Sequence, residues 1–174
     1  MILTGPEIVR EVQNGRITID PFDPDLVNPN SYNYRLAPIL KTFEEPVLDA
    51  SVAAKARTLE IPEEGFVLQP RRLYLAKTNE VIGSDTYVPS LIGRSSLGRL
   101  GVFLQVSADL GNIGAIHCWT LEIVVVQPVR VYAYMRIGQV SFWQPSGLLR
   151  RYEGYFGRFL DPTESSPLPL GLKR

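Results

Sequence analysis

The densest group of residues suited to chemistry lies at residues 93–101, which read Gly-Arg-Ser-Ser-Leu-Gly-Arg-Leu-Gly. Glycine lets the backbone approach a ligand closely, hydroxyl and amide groups donate hydrogen bonds to phosphate oxygens, and arginine adds bidentate positive charge. The spacing matches neither the Walker loop nor the dinucleotide fingerprint. We name residues 93–101 the signature segment and predict that it binds phosphate, with a plain turn as the alternative.

The single histidine and the single cysteine, His117 and Cys118, are adjacent in the chain. A Cys/His zinc site needs three or four ligands, so no zinc is expected. Neighbouring residues of a strand also point to opposite faces. We therefore expect a structural histidine near a turn and a small buried cysteine. One cysteine excludes an intramolecular disulfide, so nothing implies an oxidising compartment.

The composition is typical of an ordinary soluble domain, with 174 residues, 45% hydrophobic, and 18 Lys+Arg against 18 Asp+Glu. A net charge of zero argues against non-specific binding to nucleic acid or a membrane surface. No apolar run approaches the roughly 20 residues of a membrane span. The first residues lack the pattern of a signal peptide, so a cytoplasmic protein is expected.

Short strands dominate the elements that must position these residues. One helix of about ten residues is expected at the N-terminus, with the Thr4 hydroxyl accepting from the Glu7 backbone N–H in a capping box. Residues 47–57 are predicted to form either a second short helix or a loop. Many short strands separated by turn formers predict an all-β barrel or double-sheet roll. The strand candidates are residues 16–20, 32–36, 65–69, 72–77, 102–106, 120–126, 129–134 and 139–143.

The C-terminal segment differs in composition from the rest. Residues 150–158 are basic, aromatic and interrupted by glycine, and residues 161–174 are rich in proline and serine. Arginines and aromatics on a mobile arm suit a lid over a planar anionic ligand, and packing on a neighbouring subunit is the alternative. We expect one domain over residues 1–158, including the lid at 150–158, and a flexible tail at 159–174.

The signature segment resembles that of the dCTP deaminase family, within the dUTPase-like superfamily. Further segments resemble the family in the expected order, and the likeness runs over roughly residues 2 to 158. These segments are residues 19–23, 29–36, 68–70, 78–80, 120–122, 136–139 and 151–154.

The resemblance implies a fold, an assembly and an activity. The fold would be a distorted β-barrel of the dUTPase-like type, assembled as a homotrimer with active sites between subunits. The activity would be hydrolytic deamination of dCTP to dUTP and ammonia, in pyrimidine deoxynucleotide metabolism. Mg²⁺ would be bound through the triphosphate, with no metal at the base.

The resemblance also implies roles for individual residues. Glu122 would be the general acid/base that activates water for attack on cytosine C4. Arg99 and Ser95 would orient Glu122 and that water, and the Ala108 backbone would complete the polar ring. The residues expected to bind the nucleotide are Arg94, Ser95, Ser96 and Gln139 at the phosphates, Asn112 at the deoxyribose, and Tyr152 in the lid.

The residues around Glu122 leave its environment open. A carboxylate between Leu121 and Ile123 would be desolvated, which raises its pKa, whereas a nearby arginine would lower it. The sequence does not decide between these effects. Strand alternation also allows Glu122 to be an ordinary outward-facing residue.

Three residues depart from the family pattern, and the first of them bears directly on the reaction. Asn112 replaces the aspartate that in dUTPase relatives activates the water attacking the α-phosphate, which argues against dUTP diphosphatase activity. Ala115 replaces an aromatic residue, and Asn33 replaces another usual aspartate. The alternatives are therefore a dUTP diphosphatase, a bifunctional deaminase and diphosphatase, or a nucleotide-binding paralogue without turnover.

Overall fold

The computed structural model describes residues 1–104, 109–153 and 162, and this part of the chain is mainly β with one short N-terminal helix. The helices are α1 (Gly5–Gln13) and α2 (Ser95–Gly98), and a 3-10 turn covers Pro24–Leu26. The strands are β1 (Thr18–Asp20), β2 (Val27–Asn28), β3 (Ser31–Arg35), β4 (Ile39–Phe43), β5 (Ala56–Glu60), β6 (Phe66–Leu68), β7 (Tyr74–Gly83), β8 (Val88–Gly93), β9 (Val102–Leu104), β10 (His117–Val125), β11 (Val129–Val131) and β12 (Arg136–Trp143).

Antiparallel pairing organises the strands into two main sheets and one small one. The larger sheet has the order β5-β4-β7-β10-β9, with β1 also paired to β7. The second sheet has the order β2-β3-β12-β8, and β11 pairs with β6. Alternate residues of β10 and β12, such as Leu121 and Val140, are fully buried in the core. The predicted mainly β architecture is confirmed.

Helix α1 begins differently from the predicted capping box. The Thr4 side chain makes no capping hydrogen bond, and Glu7 instead pairs with Arg10 one turn later. On the inner face, the fully buried Glu11 pairs with Arg16 and accepts a hydrogen bond from the Tyr87 hydroxyl at 2.9 Å. Hydrogen bonding to Arg16 lowers the pKa of Glu11 to about 2, so this carboxylate is charged and fastens α1 to the domain.

Four strands lie where none was predicted: β2, β4, β5 and β8. Residues 47–55 form loop, which resolves the open choice at 47–57, and β5 begins at Ala56. Pro89 hid β8, since proline removes a donor from a strand. Its carbonyl nevertheless accepts a hydrogen bond from Gly111 at 2.8 Å.

Within the described residues, no helix is long and apolar enough to cross a bilayer. The predicted lid is described only as far as Glu153. Residues 154–158 and, apart from Pro162, the predicted tail 159–174 lie outside the described residues, as does Ala108.

Candidate functional site

The signature segment joins the two main sheets, because β8 ends at Gly93 and β9 begins at Val102. Between them α2 turns once and buries Leu97, which is 8% exposed. Gly101 has φ +79°, and an added Cβ would lie 2.2 Å from the Val126 side chain, so glycine is needed there. With Leu97 as the anchor, the polar residues Ser95, Ser96 and Arg99 remain exposed and available to a ligand.

Arg94 lies beside a second arginine, Arg136, at the start of β12. Burial and the nearby Arg136 charge lower the pKa of the half-buried Arg94. Gly138 pairs with Gly93, so the start of β12, which carries Arg136, lies near the start of the signature segment. In the described ranges 1–104 and 109–153, no carboxylate forms an ion pair with either guanidinium. Arginine stays protonated in proteins, so two adjacent cations without a carboxylate partner favour an anionic ligand.

Gln139 lies on the same side of its sheet as Arg94. Gln139 pairs with Ile92, and Arg94 continues the strand in extended conformation two residues later. Alternation therefore puts both side chains on one face, separated along the strand by about 7 Å. The Gln139 Oε1 accepts a hydrogen bond from the Ser31 hydroxyl at 3.2 Å. The predicted phosphate ligands Arg94 and Gln139 are thus brought together.

Glu122 lies on the face of β10 that points away from the core. Its neighbours Leu121 and Ile123 are fully buried, and Glu122 is half-buried opposite Leu75 of β7. The outward orientation allowed by alternation is therefore confirmed. On the same face Val124 pairs with Phe103, which is 46% exposed. The carboxylate thus borders a partly apolar outer surface.

Glu122 lies on β10, which meets the end of the signature segment that carries Arg99. Val126 hydrogen bonds to the Gly101 carbonyl at 3.0 Å, so β10 meets the segment four residues after Glu122. Along β10, the Glu122 backbone therefore lies about 13 Å from the residue that contacts Gly101. At the other end of the segment, an added Cβ on Gly93 would lie 3.7 Å from the side chain of Leu104, which pairs with Ile123 next to Glu122.

Asn112 and Tyr152, the residues predicted to bind the sugar and to form the lid, lie close together and apart from Arg94 and Gln139. The Tyr152 backbone N–H donates to the Ile113 carbonyl at 2.7 Å, and Arg151 forms an ion pair with Asp85 at 3.5 Å. Gly114 has φ +87°, which fits a tight turn that glycine tolerates best. The start of the predicted lid therefore packs on the loop that carries the exposed Asn112.

The two groups lie at opposite ends of β8. Gly111 hydrogen bonds to Pro89 and Leu91 to Asp109, so the loop runs back along β8, away from the signature segment. Pro89 and Arg94 are five residues apart, or about 17 Å in an extended strand. One chain therefore carries the residues predicted to bind phosphate and those predicted to bind the sugar and form the lid at separate places.

His117 and Cys118 are both buried, as expected for structural residues. The His117 Nδ1 lies 2.8 Å from the Cys118 carbonyl, and its ring packs on Trp119 at 4.4 Å between centroids. Burial lowers the pKa of His117, which favours the neutral ring. In the part of the chain that is described, no group of three or more His, Cys, Asp or Glu residues could hold a metal ion.

Two residues to which the sequence assigned no role lie beside the predicted phosphate ligands Arg94 and Gln139. Arg136 precedes Gln139 by three residues on β12. A basic residue this close to a predicted phosphate ligand is the sequence signal that could have indicated it. Ser31 contacts Gln139 across 108 residues of sequence, and no local pattern could have indicated that contact.

Comparison with known proteins gives concordant matches. A family model described as dCTP deaminase-like matches residues 2–145. A Clostridium acetobutylicum protein named "dCTP deaminase, dUMP-forming" is 45% identical over 152 residues, which is 87% of either chain. A Rhodopirellula baltica protein named "dCTP deaminase" is 48% identical over 147 residues, or 84% of this chain and 74% of that one.

Among solved structures, the chain is similar to 2'-deoxycytidine 5'-triphosphate deaminase from Agrobacterium tumefaciens, with a TM-score of 0.67 and 21% identity. The match covers 85% of this chain and 49% of that one, so the chain spans about half the length of that protein. This likeness agrees with the predicted fold class.

Proposed function

The chain belongs to the dCTP deaminase-like family, and from that premise we propose that it is an enzyme that hydrolytically deaminates dCTP. The observation that carries the proposal is the pair Arg94 and Arg136, which lies beside Gln139 and lacks carboxylate partners among the described residues. A triphosphate supplies the negative charge that this group lacks.

In the proposed reaction Glu122 is the general acid/base. It removes a proton from water as the water oxygen bonds to cytosine C4, and it delivers that proton to the ring N3. It then takes the proton of the new C4 hydroxyl and delivers it to N4 as the C4–N4 bond breaks, which leaves the C4 carbonyl and releases ammonia. A positioned base and acid of this kind contributes about 10² to 10⁴ in rate. Arg99, Ser95 and the Ala108 backbone would orient Glu122 and the water.

Mg²⁺ is proposed to enter with the nucleotide, held by the triphosphate oxygens, with no metal at the base. The donor set supports this: Arg94, Ser95, Ser96 and Gln139 are suited to phosphate oxygens rather than to a hard cation. The cation would neutralise part of the triphosphate charge. The chain's own residues would bind and orient the phosphates, and Tyr152 and its lid segment would cover the nucleotide.

We propose a homotrimer with active sites between subunits, as the resemblance implies. The two sets of residues lie at opposite ends of β8, which supports this proposal. A neighbouring subunit could bring its Asn112 and Tyr152 to the Arg94 and Gln139 of the first subunit. The exposed Phe103 on the Glu122 face supplies apolar surface for such a contact. Sedimentation velocity would test the assembly.

The end product is proposed to be dUMP, because the Clostridium acetobutylicum relative is named dUMP-forming. Water would attack the α-phosphorus of dUTP, and the bond to diphosphate would break. The expectation from sequence was dUTP, since Asn112 cannot act as a base. The exposed amide of Asn112 still favours dUTP as the second candidate product.

Incubation with dCTP and Mg²⁺, with ammonia and diphosphate measured separately, distinguishes the candidates. Equal release of both indicates dUMP, ammonia alone indicates dUTP, and diphosphate from dUTP without ammonia from dCTP indicates a diphosphatase. Nucleotide binding with neither product would indicate a paralogue without turnover. Unchanged nucleotide affinity in Arg94→Ala would contradict the phosphate assignment.

A further inference from the structure

Four polar side chains form a continuous series of hydrogen bonds that ends at Gln139. Asn33 Nδ2 donates to the Asn28 Oδ1 at 3.0 Å, and Asn28 Nδ2 donates to the Ser31 hydroxyl at 3.1 Å. The Ser31 hydroxyl then donates to the Gln139 Oε1 at 3.2 Å. We call Asn33, Asn28, Ser31 and Gln139 the amide relay.

One backbone carbonyl fixes the direction of every donor in the amide relay. Asn33 Nδ2 also donates to the Leu26 carbonyl at 3.0 Å, and a carbonyl can only accept. Asn33 therefore turns its nitrogen inward, so Asn28 accepts through its oxygen and must donate through its nitrogen. The Ser31 oxygen accepts that bond and has a single hydrogen left, which goes to Gln139.

The burial of Asn33 makes this direction costly to reverse. Asn33 is 3% exposed, and its Oδ1 has no hydrogen-bond partner among the described residues. Flipping the amide would set this oxygen against the Leu26 carbonyl, two acceptors facing each other, so the observed orientation is the better one.

At the other end, the amide relay determines what Gln139 presents to solvent. Its oxygen is occupied by Ser31, which leaves the Nε2 group with its two hydrogens directed to other partners. Gln139 shares a sheet face with Arg94, so this donor lies beside the cationic pair. Phosphate oxygens accept hydrogen bonds, so they favour the Nε2 end of Gln139. Without the bond from Ser31, the Gln139 amide could also rotate and turn its oxygen, which repels phosphate, toward the ligand.

We propose that Ser31 is a positioning residue that holds Gln139 with its amide donor toward the triphosphate. The inference rests on the proposed function only in that Gln139 contacts phosphate. Ser31 does not touch the reacting atoms. Losing its hydroxyl weakens ground-state binding, so KM should change and kcat should not.

The first test compares Ser31→Ala, Ser31→Thr, Gln139→Ala and the double variant Ser31→Ala/Gln139→Ala. Ser31→Ala should raise KM for dCTP about 3- to 10-fold with kcat within about twofold. Ser31→Thr keeps the hydroxyl and should restore the wild-type KM. The double variant should match Gln139→Ala alone. The exposed Asn30 in the same turn provides the control Asn30→Ala, which should change neither constant. Multiplying effects in the double variant would overturn the proposal.

The second test reverses the relay without changing its shape. In Asn28→Asp the carboxylate can only accept, so Ser31 must donate to it and Gln139 must turn its oxygen outward. KM should rise at least as far as in Ser31→Ala, and the substitution should have no further effect in the Gln139→Ala background. A full effect in that background would indicate direct charge repulsion and overturn the proposed direction.

Affinity for inorganic tripolyphosphate, measured by calorimetry on the same variants, separates this inference from the proposed function. If ammonia release fails but tripolyphosphate affinity follows the same pattern, the proposed reaction is wrong and the relay stands. Absent tripolyphosphate binding by the wild type, or equal affinity in wild type and Ser31→Ala, would overturn the relay.

Discussion

Gly138→Ala is expected to destabilise the sheet β2-β3-β12-β8, which carries Gln139, because the space beside Gly138 has no room for a methyl group. An added Cβ would lie 2.0 Å from the Tyr34 hydroxyl oxygen and 2.1 Å from Cζ of its ring. Tyr34 is fully buried and donates a hydrogen bond to the Ile92 carbonyl at 3.1 Å. The ring must therefore move, and that hydrogen bond must break.

The magnitude follows from these two losses. Overpacking a core costs about 1–3 kcal/mol, and a lost buried hydrogen bond costs about 1 kcal/mol more. The free energy of unfolding should fall by about 2–4 kcal/mol. At about 2–4 °C per kcal/mol for a chain of this size, Tm should fall by about 5–15 °C.

Urea and thermal unfolding at fixed protein concentration measure this effect, since assembly makes Tm concentration-dependent. Gly93→Ala is the matched control, because Gly93 pairs with Gly138 but its added Cβ would lie 3.7 Å from Leu104, an ordinary contact. Tyr34→Phe in the Gly138→Ala background should rescue little, since the ring carbon remains in the way. Equal stability of Gly138→Ala and Gly93→Ala would refute the reasoning.

Three further predictions concern charge and metal. Glu11→Gln should lower stability in urea unfolding near neutral pH and reduce its dependence on acid: with a folded pKa of about 2 against an ordinary 4.5, the stabilisation is complete above pH 4.5 and is lost as pH falls toward 2. Arg136→Ala should raise KM for dCTP about 10-fold with little change in kcat, whereas Arg57→Ala on the exposed face of β5 should leave KM unchanged. Chelating Mg²⁺ with EDTA should suppress ammonia release and restored Mg²⁺ should recover it; full activity in excess EDTA would contradict the proposed metal.

Local sequence patterns predicted those elements whose signal is local. The apolar period of residues 8–12 was sufficient to predict α1, and the alternation around Glu122 was sufficient to predict β10, because each pattern depends on nearby residues alone. The capping box was wrong because Glu7 pairs with Arg10 rather than with the Thr4 backbone. Strand β8 was missed because Pro89 weakens the pattern of a strand that is held by β12 and the loop at Gly111.

The sequence predicts which residues form the candidate site, but it does not predict how they are arranged. The resemblance predicts roles for Arg94, Gln139 and Glu122, whereas their relative positions follow from the strand register. Register also places Arg136 beside Arg94 and brings Ser31 to Gln139, although these last two lie 108 positions apart. Such contacts depend on tertiary pairing, which a single sequence does not encode locally.

The central claim, that Glu122 performs acid–base chemistry in dCTP deamination, is tested most directly by ammonia release from dCTP in Glu122→Gln. The amide keeps the size of the side chain but cannot take up a proton, so kcat should fall by about 10² to 10⁴ while dCTP affinity is retained. Glu60→Gln, which changes an exposed carboxylate on β5, should leave the rate unchanged. Ammonia release from Glu122→Gln at the wild-type rate would contradict the claim.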